Sequence, residues 1–148
     1  MVLYKIFNSD ASRSTIIIRL MVGAVFLSEG IQKFFFAEDL GSGRFAKIGL
    51  PNPDFLGTFV GSFEIICGLL VLMGLLTRIA AIPLFIIMIV AISTTKLKLL
   101  TEDGFWSMLH ASRTDWAMLL GSIFLIIEGG GKWSVDNLLW KRSKSGQN

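Results

Sequence analysis

Apolar residues along this chain collect into long blocks, and most charged residues lie between the blocks. A helix needs roughly 17–25 mainly apolar residues to cross the hydrocarbon core of a bilayer, and three blocks reach that length. The fourth is shorter, but Trp116 and Trp133 flank it at a helical spacing of about 25 Å, which suits interfacial anchors. The pattern predicts four membrane-spanning helices, at about residues 16–36, 55–76, 79–100 and 115–131.

Composition supports a membrane protein. The chain has 148 residues, of which 53% are hydrophobic and 17% charged, whereas a soluble domain has about a quarter of its residues charged. The length suits one domain, residues 1–148. The net charge of +3 comes without a basic face, so nucleic acid is not an expected partner. The single cysteine, Cys67, can form no intrachain disulfide, and no metal-ligand pattern is present.

The first block has one alternative interpretation. A basic start followed by an apolar run is also the pattern of a cleaved signal peptide. No small-x-small cleavage site follows, and the chain continues as Ser28-Glu29-Gly30-Ile31-Gln32-Lys33. We therefore interpret the block as a spanning helix. At the other end of the chain, residues 141–148 are polar and are expected to form a disordered tail.

The connections favour an all-α, antiparallel four-helix bundle. Only Thr77 and Arg78 separate the second block from the third, so these two helices must be antiparallel neighbours. The loop at 37–54 is rich in glycine and proline, which prevents a regular helix throughout. The loop at 101–114 contains the one histidine of the chain, His110.

One carboxylate, Glu64, lies inside the second apolar block. An ionisable side chain within a membrane marks a candidate functional site and needs a partner. Gly57, Gly61, Glu64 and Gly68 share one helical face, and small residues on one face allow membrane helices to approach closely. Glu64 is therefore predicted to point into the bundle.

The first helix offers the partner. Glu29 and Lys33 lie one turn apart, and Lys33 follows Arg19 by as many residues as Glu64 precedes Arg78. If both arginines mark one membrane boundary, Lys33 and Glu64 lie at the same height, about 21 Å from it. We predict a Lys33–Glu64 ion pair with Glu29 as a second acceptor.

This group of charges has two open interpretations. Two carboxylates beside one ammonium repel each other in a poorly hydrated site, so Glu29 and Glu64 are expected to share one proton. The group would then handle protons. Equally, the ion pair could serve only to fix the register of the two helices. Hydroxyl groups of Ser93, Thr94 and Thr95 are expected to satisfy carboxylate lone pairs from the third helix.

Polar residues are also expected at the two ends of the bundle. At the outer end, Asp115 is predicted to cap the fourth helix, and Arg113 with His110 to face the bundle and donate to a carbonyl or carboxylate ligand. The alternative for Arg113 is a lipid headgroup anchor. At the inner end, Glu128 could meet Arg19 or Arg78, and these three residues form the predicted inner polar layer. Arg19 and Arg78 themselves are expected mainly to snorkel to the membrane boundary.

Several segments together resemble the DoxX family of small four-helix membrane proteins. These segments are RLMVGAVFLSEGIQKF, GSFEIICGLLVLMGLLTRIAA, GFWSMLHASRTDWAMLLG and GGGKWSVD, within about residues 15–140. Relatives often carry a glutamate after the loop histidine, where this chain has Ala111. The family resemblance implies membrane subunits linked to quinol oxidation and thiosulfate:quinone chemistry.

Three functional classes follow. The chain is a subunit or partner of a quinone-linked membrane redox system, or a structural and assembly protein, or less favourably a small-solute transporter. A quinone is the one cofactor that the resemblance suggests, and a redox partner or further copies of the chain are the expected protein partners. No Ser/His/Asp set, nucleotide-binding loop or metal cluster is present, so no catalytic residue is assigned and enzymatic activity stays open.

Basic residues predict the orientation. The side that would hold both termini has a mild excess of basic residues, including the run Lys141-Arg142-Ser143-Lys144. Because basic residues accumulate on the cytoplasmic side, we predict a multi-pass protein of the bacterial cytoplasmic (inner) membrane with both termini inside. A reporter fused after Asn148 should be active only in the cytoplasm. Periplasmic activity, or cleavage of loop 101–114 by protease from the cytoplasmic side, would contradict this orientation.

Overall fold

Helices form the architecture of this chain. The computed structural model describes residues 12–145, in which no β-strand occurs, as the all-α prediction requires. The elements are α1 (Thr15–Phe35), α2 (Ser42–Lys47), α3 (Pro53–Met73), α4 (Thr77–Ala91), a π-helical segment (Ile92–Lys96), α5 (Leu97–Asp103), α6 (Phe105–Ala111), α7 (Arg113–Glu128) and α8 (Val135–Ser145).

Three of the described helices are long and apolar enough to cross a membrane. They are Thr15–Phe35, Pro53–Met73 and Thr77–Asp103, the last of which continues from α4 through the π-helical segment into α5. Large apolar side chains such as Ile17, Phe59 and Ile86 are exposed on these helices, as expected for surfaces that lipid covers. Helix α7 has 16 residues and is shorter than the other three, so the fourth crossing stays a prediction.

Helices α1, α3, α4 and α7 pack as a bundle. Helix α1 lies against α3 and α7, and α4 lies against the same two helices. Helix α1 is antiparallel to α3, because Arg19 near its start contacts Leu72 near the end of α3, whereas Lys33 near its end contacts Glu64. The predicted bundle is confirmed in its helix packing.

Glycines bring α1 and α3 close together. A Cβ atom on Gly30 would lie 2.8 Å from the carbonyl oxygen of Gly61, and one on Gly68 would lie 2.8 Å from the backbone nitrogen of Leu27. Real Cβ atoms do not approach other atoms so closely, so only glycine fits at these crossings. Gly61 and Gly68 are buried together with Glu64, as the shared helical face predicted.

The joint between α3 and α4 differs from the prediction. Residues 74–76 form the turn, and Thr77 and Arg78 belong to the first turn of α4. Gly74 has φ +69°, a left-handed conformation that glycine adopts without steric cost and that commonly ends a helix. Helix α3 therefore ends at this glycine, before Thr77 and Arg78, where the sequence placed the connection.

Arg19 is buried where α1, α3 and the loop after α7 meet. Its side chain is 3% exposed, and its Nε donates to the carbonyl oxygen of Val71 at 3.0 Å. One terminal nitrogen donates to Leu72 at 2.6 Å, and the other donates to Gly130 at 3.0 Å and Trp133 at 2.6 Å. We call Arg19 and these four carbonyl groups the Arg19 network. Arg19 therefore does not snorkel, because buried carbonyl groups hold its guanidinium inside the protein.

A second long-range contact orders the same end of the bundle. The carboxylate of Asp136 accepts the backbone N–H groups of Leu76 at 2.7 Å and Thr77 at 3.0 Å. These donors lie at the start of α4, where the first N–H groups of a helix have no partner within the helix. Asp136 thus caps α4 from the beginning of α8.

The C-terminal segment also differs from the expected disordered tail. Helix α8 continues through residues 141–145, while residues 146–148 lie outside the described part. The hydroxyl of Ser134 accepts the N–H of Asn137 at 3.2 Å, which is the geometry of an N-cap. With its start fixed by Ser134 and Asp136, the polar segment is helical.

Replacing Arg19 by methionine tests the Arg19 network. The substitution should lower the free energy of unfolding by more than about 3 kcal/mol, because each hydrogen bond to a charged group contributes about 1.5–3 kcal/mol and the carbonyl groups would stay buried. Denaturant titration in mixed micelles measures this loss. Arg13→Met is the matched control, because Arg13 is exposed. Similar losses for the two variants would show that the network does not stabilise the fold.

Candidate functional site

Lys33 and two carboxylates form a charged cluster at the end of the bundle opposite to Arg19. The ammonium of Lys33 lies 2.7 Å from Oε2 of Glu64 and 3.9 Å from Oε2 of Glu29. The Lys33 side chain is 11% exposed and that of Glu64 4%, whereas that of Glu29 is 46% exposed. The predicted ion pair of Lys33 with Glu64 is confirmed, and Glu29 lies beside the same ammonium at a longer distance. We call these three residues the Lys33 cluster.

Helix geometry explains how Lys33 reaches Glu64. Gly30 is the α1 residue that packs against Glu64, since a Cβ on Gly30 would lie 2.9 Å from the Cβ of Glu64. Side chains lean toward the N-terminus of their helix, so Lys33 extends back by one turn to the level of Gly30. The count from Arg19 and Arg78 predicted the right contact, although residues 64 to 78 do not form one continuous helix, because a turn separates α3 from α4.

The buried carboxylate depends on Lys33. Within residues 12–145, Oε2 of Glu64 has the Lys33 ammonium beside it and no hydrogen-bond donor in addition. A buried ion loses its hydration, and a close opposite charge offsets only part of that cost. The pair is therefore poorly compensated, and it can accept a further polar group from a ligand.

A cavity of about 300 Å³ ends at this ion pair. Helices α2, α3 and α4 form its walls, which are mainly aliphatic and aromatic. Its charged lining residues are Lys33, Glu64 and Arg44. Phe59, Ile86 and Val90 line the cavity and are also exposed on the outer surface of the bundle, so the opening faces the region that lipid would occupy. The site can bind a mainly apolar molecule with one polar end.

The hydroxyl groups on the π-helical segment do not satisfy the carboxylates as predicted. Thr94 donates to the carbonyl oxygen of Val90 at 2.8 Å, and Thr95 donates to that of Ala91 at 2.6 Å, while Ser93 donates to Ile89 at 2.7 Å. A hydroxyl within a helix commonly bonds back to the preceding turn in this way. Thr94 and Thr95 nevertheless line the cavity, where their oxygen atoms can still accept hydrogen bonds.

His110 and Arg113 form a separate exposed pair. A terminal nitrogen of Arg113 lies 2.7 Å from Nε2 of His110, and both residues are exposed. Neither residue lines the cavity. The prediction that they face the bundle is wrong, because α6 is a separate short helix and the two side chains meet across its junction with α7. Their exposure favours the alternative of a headgroup anchor.

Asp115 pairs with Lys96 and does not cap α7. Helix α7 starts at Arg113 after Ser112, which places Asp115 inside the first turn. Its Oδ2 lies 3.1 Å from the ammonium of Lys96, which also donates to the carbonyl oxygen of Ala111 at 2.9 Å. This ion pair connects the π-helical segment to the start of α7.

The inner polar layer includes contacts that the sequence did not predict. Arg19 bonds to backbone carbonyl groups, and Arg78 donates to the carbonyl oxygen of Ile126 at 3.5 Å. Glu128 ends the same helix, α7. The residue that the sequence reasoning missed is Asp136, which is 1% exposed. The signal available for it was the pattern Ser134-Val135-Asp136-Asn137, which is typical of a helix start.

Relatives match this chain along nearly its whole length. The DoxX family model matches residues 14–97. The chain is 52% identical to the uncharacterized membrane protein Rv3486 of Mycobacterium tuberculosis, over 94% of this chain and 89% of that protein. It is 31% identical to a Bacillus subtilis protein named "Putative oxidoreductase CatD", over 94% of this chain and 96% of that protein. No solved structure matches the chain significantly.

A double-mutant cycle tests the Lys33–Glu64 pair. Lys33→Met should lower the free energy of unfolding by about 3–5 kcal/mol, because it leaves a buried carboxylate without its counter-charge. Glu64→Gln should be milder, since the amide fills the same space. The double variant should recover part of the loss, which denaturant titration in mixed micelles measures. Strict additivity would contradict a direct contact.

Proposed function

Because this chain belongs to the DoxX family of membrane proteins, as its motifs predicted, we propose that it binds a quinone as part of a membrane redox system. The relative named as an oxidoreductase supports a redox role, since it aligns over almost its whole length. The proposed role is that of a subunit or partner of a quinone-linked complex. Electron transfer would then need a partner protein.

The observation that carries the proposal is the cavity that ends at the Lys33 cluster. Its walls are apolar, and three of its lining residues are exposed where the surrounding lipid would be. A ligand dissolved in the bilayer can therefore enter from the side, between α3 and α4. Ligand sites of this kind combine apolar walls with a few placed polar groups.

The residues present fit a quinone. The ammonium of Lys33 is a hydrogen-bond donor that suits a ring carbonyl, and the ring and its isoprenoid chain suit the aliphatic walls. A bound quinone supplies a carrier of two electrons and two protons. Glu64 lies beside the same ammonium and is the group placed to hold a proton. Glu29 is a second carboxylate next to this ammonium, at 3.9 Å, and is half exposed.

The proposed orientation places these groups in the membrane. With both termini cytoplasmic, the Arg19 network lies at the inner boundary and the Lys33 cluster lies in the outer half of the bilayer. The exposed His110–Arg113 pair then lies at the outer surface, where it can bind a lipid headgroup or contact a partner.

A bulky residue placed in the cavity tests quinone binding without altering any charged side chain. Ala91 lines the cavity, so Ala91→Phe should lower the quinone retained per protein by at least about ten-fold. Ala24→Phe is the matched control, since Ala24 is exposed on α1 and should change nothing. Quinone is extracted from protein purified out of native membranes and is quantified by its ultraviolet absorbance.

Variants that each remove one charge distinguish quinone binding from proton handling. Lys33→Met should lower quinone retention, whereas Glu64→Gln should retain the quinone and slow quinol-dependent reduction of a partner. If the unaltered protein neither retains nor binds an added quinone, the proposal fails and the structural role is favoured. Solute flux in proteoliposomes without quinone binding would favour the transporter alternative.

A further inference from the structure

A second cavity, of about 360 Å³, lies at the end of the bundle that holds Arg19. It is open to the surface and is lined by residues of α3, the loop before α8, and α8 itself. Lys132 and Lys141 bring two ammonium groups to it, and Trp133 brings an indole ring that is 59% exposed. Met73 and Leu138 supply apolar walls. This cavity shares no residue with the one at the Lys33 cluster.

The loop that carries these residues is held in place from several sides. Arg19 donates to the carbonyl oxygen of Trp133 at 2.6 Å. The N–H of Lys132 donates to the carbonyl oxygen of Ser12 at 3.1 Å, and the side-chain amide of Asn137 donates to that of Lys132 at 2.6 Å. The backbone of the cavity is therefore preformed, and a ligand need not order it.

The charges around this cavity have one sign. Its lining includes two lysines and no carboxylate. The nearest acid along the chain is Asp136, whose carboxylate is buried and already accepts the N–H groups of Leu76 and Thr77. The Lys33 cluster differs, because carboxylates there neutralise the ammonium. The second cavity therefore attracts an anion through two ammonium groups, without a carboxylate in its lining, whereas Glu64 borders the first cavity.

Its height in the bundle identifies the kind of anion. Met73 is the last residue of α3, so the cavity lies where a spanning helix leaves the hydrocarbon core. Lipid phosphate groups lie at this level, and an exposed indole is typical of the same layer. The apolar walls formed by Met73 and Leu138 can contact the upper part of an acyl chain. A lipid thus matches both the charged and the apolar parts.

We propose that this cavity binds the headgroup of an anionic phospholipid, with Lys132 and Lys141 at the phosphate and Trp133 beside the glycerol and acyl region. Basic pockets at the cytoplasmic ends of membrane helices bind anionic headgroups by the same electrostatics. The proposal is independent of quinone binding, because it uses other residues at the other end of the bundle. Bound lipid would join α3 to α8 at the membrane boundary.

Trp133 itself reports on the bound lipid. The full chain with Trp106, Trp116 and Trp140 replaced by phenylalanine keeps Trp133 as its tryptophan fluorophore. It is placed in phosphatidylcholine nanodiscs that contain an equal mole fraction of either brominated phosphatidylglycerol or brominated phosphatidylcholine. Quenching of Trp133 should be markedly stronger with the brominated anionic lipid, because that lipid is enriched in the cavity.

The lysines should account for this preference. Lys132→Gln with Lys141→Gln should abolish it, and each single change should lower the relative association constant by about five-fold. The control variant carries Lys47→Gln and Lys98→Gln, because these lysines are exposed elsewhere and should not affect quenching at Trp133. The single variant Lys141→Gln changes an exposed residue and provides the test if the double variant folds poorly.

Two results would overturn the proposal. Equal quenching by the two brominated lipids in the lysine-containing protein would show that the cavity does not select an anionic headgroup. An anionic preference that survives in the double variant, or that the control variant loses equally, would assign the effect to the general surface charge of the protein. Retention of the quinone in the same samples reports separately on the proposed function.

Discussion

The burial of one guanidinium group, that of Arg19, constrains the rest of this structure. A buried arginine needs acceptors for its N–H groups, and here the acceptors are carbonyl groups from the end of α3 and from the loop after α7. Three parts of the chain must therefore meet at one point. Two of these carbonyl groups, those of Val71 and Leu72, lie in the last turn of α3, where carbonyl groups lack the partners found inside a helix, so Arg19 supplies donors at that helix end.

This contact sets the register of α1 against α3, and glycines then maintain it along the crossing. With Arg19 beside Val71, the close approaches of Gly68 to Leu27 and of Gly30 to Gly61 follow in antiparallel order. A glycine replaced by a larger residue would separate the helices by the width of a side chain. The ion pair of Lys33 and Glu64 lies at the far end of this crossing. The short distance between Lys33 and Glu64 therefore depends on the register of α1 against α3, which the contacts of Arg19 set at the other end of the bundle.

The two ends of the bundle consequently differ in what their charges can do. At the Arg19 end, hydrogen bonds within the chain satisfy Arg19 and Asp136, which suits a fixed joint between helices. At the other end, Glu64 is compensated by one ammonium and borders an apolar cavity. Stabilising contacts and candidate chemistry are therefore separated along the bundle axis. The π-helical segment forms part of the wall of this cavity, and its Lys96 pairs with Asp115.

The sequence by itself determined the four long helices, their antiparallel packing and the ion pair of Lys33 with Glu64. These features depend on local periodicity and on the need to pair a charge that lies within an apolar segment. The tertiary structure alone decided the partners of Arg19, Asp115 and Asp136, and with them both cavities. For Arg19 and Asp136 the partners are backbone carbonyl and N–H groups, which occur at almost every position and leave no residue-type signal. Which of them a buried charge reaches depends on how the helix ends approach one another in space.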